Sequence, residues 1–259
     1  METLTCLSIK GGVSKTTTVV SVAGVLATEY GRRVLVVDLD PQSNATQGLG
    51  VDPYGLTSTA YDVLHGDPAE DAIVSTETPG VDLLPATLDL AAAELELAAQ
   101  PAREMRLRRA LEAVASRYDF CLVDTPPSLS VFSQNAAMAA RWILTPVEAS
   151  AYSLGALGQL RRFLDVIAPY NPTGVEILGV VLVKVDARLR LTADMESRLR
   201  EALGPLMFGT TIPLNVRAAE SAAAGVPVNV YARTSTSAQA YRDLTREILT
   251  RLEVIHGQE

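Results

Sequence analysis

Residues 10–17 read Lys10-Gly11-Gly12-Val13-Ser14-Lys15-Thr16-Thr17. An apolar run at 4–9 precedes them, and an apolar helical pattern at 19–26 follows. A strand, a glycine turn and a helix start, in that order, form a cradle for a polyphosphate. The loop N–H groups point inward, the helix N-terminus adds partial positive charge, and a lysine supplies a full charge. Lys15 is placed to reach the β/γ-phosphates, and the Thr16 hydroxyl to bind Mg²⁺. Lys10 opens the loop, where it has little to do for its own nucleotide. A loop with two lysines suggests that one of them serves a neighbouring subunit. The general pattern G-x-x-x-x-G-K-[ST] has glycine where this chain carries Ile9 and Ser14. A left-handed backbone at Ser14 would cost about 1–2 kcal/mol without glycine. An ordinary glycine-rich turn is the competing reading, and the motifs downstream argue against it.

Outward from this loop, buried-strand runs recur at 4–9, 34–37, 81–84, 120–123, 143–147 and 177–185. Helical patterns alternate with them at 15–30, 88–100, 104–118, 132–140, 155–168, 191–203 and 238–255. Continuous apolar strands between helices predict a parallel sheet covered on both faces. Ligands then sit at the carboxyl ends of the strands. The expected fold is α/β: a single P-loop NTPase domain over 1–259, with a mostly parallel, doubly wound sheet flanked by helices. Residues 48–80, where Gly, Pro, Asp and Thr are scattered, read as an excursion from the core.

Two more strand ends carry acids. The second strand ends in Asp38-Leu39-Asp40-Pro41-Gln42-Ser43-Asn44-Ala45-Thr46. Carboxylates two residues apart on an extended end point the same way. Beside a phosphate loop, one can hold Mg²⁺ or its waters while the other orients an attacking water. The run 118–123 ends in Asp124-Thr125-Pro126-Pro127, a Walker B arrangement that holds Mg²⁺ through water. Its prolines stiffen a loop suited to sensing a γ-phosphate. Near the C-terminus, Pro213 follows an apolar strand end, as a residue lying under a purine base would.

The bulk numbers narrow the class. The chain has 259 residues, 48% of them hydrophobic, and a net charge of −8. An acidic balance argues against nucleic acid, whose usual footprint is basic. Residues 184–217 run the other way at +2, with Lys184, Arg188, Arg190, Arg198, Arg200 and Arg217 among them. No apolar run approaches the ~20 residues of a membrane span. Cys6 and Cys121 sit in apolar runs and read as buried core thiols of a reducing compartment. Trp142 reads as core, and His65 and His256 as surface residues. The stripe Leu244, Ile248, Leu249, Leu252 and Ile255 reads as a helix docked on the core.

Together these motifs resemble the ParA/Soj family of partition ATPases, in the deviant Walker A class that includes MinD. Lys-Gly-Gly-x-Gly-Lys-Thr-Thr appears at 10–17, with Ser14 in the glycine position. Asp-x-Asp-Pro-Gln-x-Asn-x-Thr is intact at 38–46. The segments 84–94 and 124–128, Asp186-Ala187-Arg188, and Ile212-Pro213-Leu214-Asn215-Val216-Arg217 also fit. The chain opens at its first strand, so it resembles the small form that lacks an N-terminal DNA-binding extension.

The resemblance implies a homodimer that sandwiches ATP, with Lys10 reaching the partner's nucleotide. The ATP site would comprise Lys10, Gly11, Gly12, Val13, Ser14, Lys15, Thr16, Thr17, Pro213 and Asn215. Mg²⁺ would fall to Thr16, Asp38 and Asp124, and catalysis to Asp40, Lys10 and Lys15. Arg188 and Arg217 would bind double-stranded DNA without sequence preference. A ParB-like or cargo-adaptor protein would stimulate hydrolysis, in the cytoplasm and on the nucleoid. Three other functions compete. They are a MinD-like membrane ATPase, a nucleotide-gated DNA-binding regulator with negligible hydrolysis, and an iron–sulfur reductase of the nitrogenase-reductase type, for which the chain lacks suitable exposed cysteines.

Overall fold

The structure, a computed structural model, describes residues 1–186 and 188–257. Ala187, the middle of the Asp186–Arg188 motif, lies outside the described residues. In chain order the elements are β1 (Glu2–Cys6), α1 (Lys15–Tyr30), β2 (Val34–Asp38), α2 (Asn44–Gly48), α3 (Ala60–His65) and α4 (Ala69–Ala72). Next come β3 (Val74–Ser75), β4 (Val81–Leu84), α5 (Leu90–Leu97), α6 (Arg106–Val114), β5 (Phe120–Asp124), α7 (Val131–Ala139), β6 (Trp142–Glu148) and α8 (Ser153–Ile167). The chain closes with β7 (Glu176–Val185), α9 (Arg190–Leu203), β8 (Met207–Pro213), α10 (Val216–Ala223), α11 (Val228–Tyr231) and α12 (Thr236–His256).

Among the described residues the strands form one sheet in the order β3-β4-β2-β5-β1-β6-β7-β8. Every neighbouring pair is parallel except β3 with β4, which is the expected α/β architecture. Side-chain alternation sorts residues between the two faces. Val34, Val36 and Leu122 pack with α1 and α12. Leu35, Val37, Cys121 and Val123 pack with α3, α5, α6 and α7 on the other face. Both cysteines are free and buried, Cys6 with the first face and Cys121 with the second. Trp142 is core, and Leu244, Ile248 and Leu252 turn α12 inward, as expected. No described helix is long and apolar enough to cross a membrane.

Three expectations need adjustment. The first strand ends at Cys6 rather than at residue 9, because the chain turns there into the glycine loop. Residues 48–80 leave the core only in part: Ala60, Val63, Leu64, Ala69 and Ala72 bury against it from α3 and α4. His65 is not a free surface residue. Its Nδ1 sits 2.8 Å from the Tyr61 carbonyl and its Nε2 3.0 Å from Glu96, which ties α3 to α5.

Candidate functional site

The parallel register sets three strand ends at one level. Cys6 of β1 and Asp38 of β2 both lie opposite Asp124 of β5. The loop leaving β1 therefore starts level with the two acids. It turns at Gly12 (φ +76°) and again at Ser14 (φ +58°), the residue before α1. Ser14 makes no side-chain cap bond there, so nothing local offsets its left-handed backbone. The helix ladder begins with the Thr18 N–H bonded to the Ser14 carbonyl at 2.9 Å. The N–H groups of Lys15, Thr16 and Thr17 thus precede the ladder and are the donors an anion would use. Ser14→Gly should stabilise the protein by about 1 kcal/mol and leave the loop shape unchanged. Thermal denaturation checks this, and a lower melting temperature would refute a strained loop.

Around the loop lies a cleft of about 530 Å³. Gly12 through Thr17, Asp40, Gln42, Asn44, Gln47, Pro127, Lys184 and Ala222 line it. The structure therefore brings the phosphate loop together with one of the two acids after β2 and with the proline loop after β5. Lys15 is buried at its floor.

The three acids have different surroundings. Asp38 is fully buried and committed to the turn that follows it. Its Oδ1 accepts from the Asp40 N–H at 3.0 Å, and its Oδ2 accepts from both the N–H and the hydroxyl of Thr46 at 2.8 Å. Asp40 reaches the cleft. Its Oδ1 accepts from the Gln42 N–H at 3.0 Å, and no described protein donor bonds its other oxygen. Asp124 is fully buried, and the Thr16 hydroxyl donates to its Oδ2 at 2.6 Å. Burial, followed by repulsion from Asp38, pushes its carboxyl up to about 8. Burial likewise raises Asp38, to about 6.

Asp124 Oδ1 is buried without a hydrogen-bond partner. A buried carboxylate oxygen left bare is costly unless something cationic or protic meets it. With the Thr16 hydroxyl beside it, this pair fits a hard, oxygen-ligated ion such as Mg²⁺. Asp38 stands behind them as negative charge whose own oxygens are already occupied.

Other expected residues fall elsewhere. Lys10 turns away from the described cleft lining to pair with Glu148 at 2.8 Å. Pro213 ends β8 opposite Val185. Asn215 caps α10: its Oδ1 accepts from the Arg217 N–H at 2.8 Å and its amide donates to Thr236 at 2.8 Å. Neither lines the described cleft. Arg188 and Arg217 leave from neighbouring strand ends, since β7 and β8 pair at Val185 and Pro213. Each has an acidic partner: Asp186 grips Arg188 at 2.7 and 2.8 Å, and Glu220 meets Arg217 at 2.6 Å. Lys184 and Gln47 line the cleft unforeseen. A charged residue near the carboxyl end of a buried strand was the available signal for Lys184.

The family described as AAA domain matches residues 1–177. The sporulation initiation inhibitor protein Soj of Bacillus subtilis (strain 168) is 40% identical over 240 residues, covering 92% of this chain and 94% of that protein. The chain belongs to the ParA/Soj family of ATPases. A chromosome partitioning protein ParA of Caulobacter vibrioides is also 40% identical, over 97% of this chain and 95% of its own length. Among solved structures, a cobyrinic acid a,c-diamide synthase of Mycobacterium smegmatis with bound ATP analogue and magnesium superposes with a TM-score of 0.85. It is 32% identical, with 98% of this chain and 96% of that one covered. For this ParA/Soj-family chain, a P-loop ATPase, the loop, the Thr16–Asp124 pair and Asp40 are the candidate site residues.

Proposed function

We propose that this chain is a partition ATPase that dimerises on ATP, holds DNA without sequence preference and lets go on hydrolysis. The observation that carries the reading is the cleft itself, where a phosphate loop, an acid and a proline loop converge. ATP and Mg²⁺ are its cofactors. Lys15 and the N–H groups opening α1 hold the phosphates, and Thr16 with Asp124 would hold Mg²⁺, which neutralises phosphate charge when bound. Asp40, buried at the cleft wall, orients the attacking water and accepts its proton. Pro127 lines the cleft and would sense the γ-phosphate. Lys10 lies outside this set and serves the partner's nucleotide.

DNA binding falls to Arg188 and Arg217. The Arg188 side chain is 85% exposed despite its grip on Asp186. Solvent screens an exposed pair of this kind, so a DNA phosphate can compete for the guanidinium. Dimerisation sets two such patches along one duplex and raises their effective concentration. A ParB-like or cargo-adaptor partner would stimulate hydrolysis, and the nucleoid would be the working surface.

Electrophoretic shifts on two unrelated duplexes, with and without ATP, test the DNA reading. Binding should be weak without ATP and equal on both duplexes with it. It should fall with salt at a log–log slope of about −0.9 per phosphate neutralised. Arg217→Glu and Arg188→Glu should each lower affinity about tenfold or more and spare ATP-driven dimerisation. Tight binding to one duplex alone, or binding indifferent to nucleotide, would overturn it.

A further inference from the structure

Glu148 ends β6 beside the phosphate loop, and two lysines share its carboxylate. Lys10 Nζ donates to Oε2 at 2.8 Å. Lys184 Nζ lies 3.2 Å from Oε1 and also donates to the Gly12 carbonyl at 2.5 Å. Lys184 therefore joins the carboxylate to the loop and lines the cleft as it does so. Its backbone is left-handed, at φ +54°, one residue before the end of β7. A side-chain-bearing residue holds that conformation only where its surroundings enforce it, and such places concentrate at functional sites. Lys10, Glu148 and Lys184 have side chains 44%, 27% and 42% exposed, open enough for the pairs to exchange.

We infer that Glu148 parks Lys10 on its own subunit and that Lys184 takes over the carboxylate when Lys10 departs. The inference rests on the reading in which Lys10 crosses to the partner's nucleotide. A lysine that crosses must first be given up. Removing it from a lone ion pair would strand a half-buried carboxylate beside incoming phosphates of the same sign. With Lys184 already on the other oxygen, Glu148 keeps a cation throughout. The two residues therefore act in opposite directions: Glu148 holds Lys10 back, and Lys184 makes its release easier. Lys184 is a positioning residue here, acting through Glu148.

The ATP concentration at half-maximal dimerisation, read by light scattering, separates these effects. Glu148→Gln removes the parking charge and should lower that concentration about fivefold, the scale of an exposed ion pair. Lys184→Met leaves Glu148 with Lys10 alone and should raise it by a similar factor, about fivefold. The double variant should behave as Glu148→Gln, because no carboxylate remains for Lys184 to receive. That non-additivity is a readout a merely structural Lys184 would not give. Additive shifts in the double variant would mean that Lys184 acts directly on nucleotide, and would overturn the hand-over. ADP affinity of the Glu148→Gln monomer should match the parent. Lys10→Ala is the control. If it dimerises normally, the crossing reading itself falls. If it fails to dimerise while Glu148→Gln leaves the midpoint unmoved, parking alone is overturned.

Discussion

Asp40→Ala should bind ATP about as tightly as the parent and hydrolyse it at least about a hundredfold more slowly, the usual worth of a positioned base. The proposed phosphate contacts, Lys15 and the N–H groups opening α1, and the proposed Mg²⁺ pair Thr16–Asp124 are untouched by the change. Asp40 instead supplies a carboxylate at the cleft wall, steadied through one oxygen by the Gln42 N–H at 3.0 Å. Losing it raises the transition state without weakening the ground state, so turnover drops while affinity holds. A variant that binds but does not hydrolyse should also persist as the ATP dimer. Fluorescent-nucleotide titration gives the affinity and steady-state phosphate release gives the rate. Unchanged turnover would remove Asp40 from the chemistry. Equal losses of affinity and rate would make it a binding residue instead.

The sequence was most informative where periodicity and chemistry coincide. Val34 to Val37 is a continuous apolar run that ends in an acid at Asp38, so both its burial as a parallel strand and its direction toward the site were readable. The same holds for Phe120 to Asp124. Short elements left less trace. α4 has four residues and α3 six, too few for the apolar pattern to repeat over two turns, although Thr59 and Asp62 form a capping box that marks the start of α3. β8 was seen only at its end, because Gly209, Thr210 and Thr211 break the apolar run on an edge strand. The site was legible in its residue types and less so in their separate duties. Asp38 and Asp40 look equivalent in sequence. Asp38 is closed by three hydrogen bonds from the turn it organises, whereas Asp40 opens on the cleft. Lys184 could be counted only as surface charge. Its position beside Gly12 and Glu148 depends on how β7 packs against β6, which no local pattern encodes.

Asp124→Asn should make the nucleotide-free protein more stable at pH 8 and weaken its Mg²⁺-dependent ATP binding. Asp124 is fully buried, near the charge of Asp38, with one oxygen held by Thr16 and the other bare. Its carboxyl is raised to about 8 in the fold, above an unfolded value near 4. The sign follows from proton counting. Below about pH 4 both states carry the proton and the site costs nothing extra. Between the two values the folded state binds more protons than the unfolded one, so stability falls as pH rises, until the folded group also ionises near 8. Asparagine keeps the shape and an acceptor for Thr16 but cannot ionise, so it escapes that fall. Its advantage should be smallest at pH 5 and grow to on the order of 5 kcal/mol at pH 8, a melting shift on the order of 10 °C. The same charge is what a divalent cation needs. Mg²⁺-dependent ATP affinity should therefore drop about 10–100-fold in the variant. Melting curves from pH 5 to 8.5, with and without Mg²⁺ and ATP, measure both effects. A variant less stable at every pH would show that the buried charge is not strained. Equal stabilisation of parent and variant by Mg²⁺ with ATP would show that Asp124 does not serve the metal.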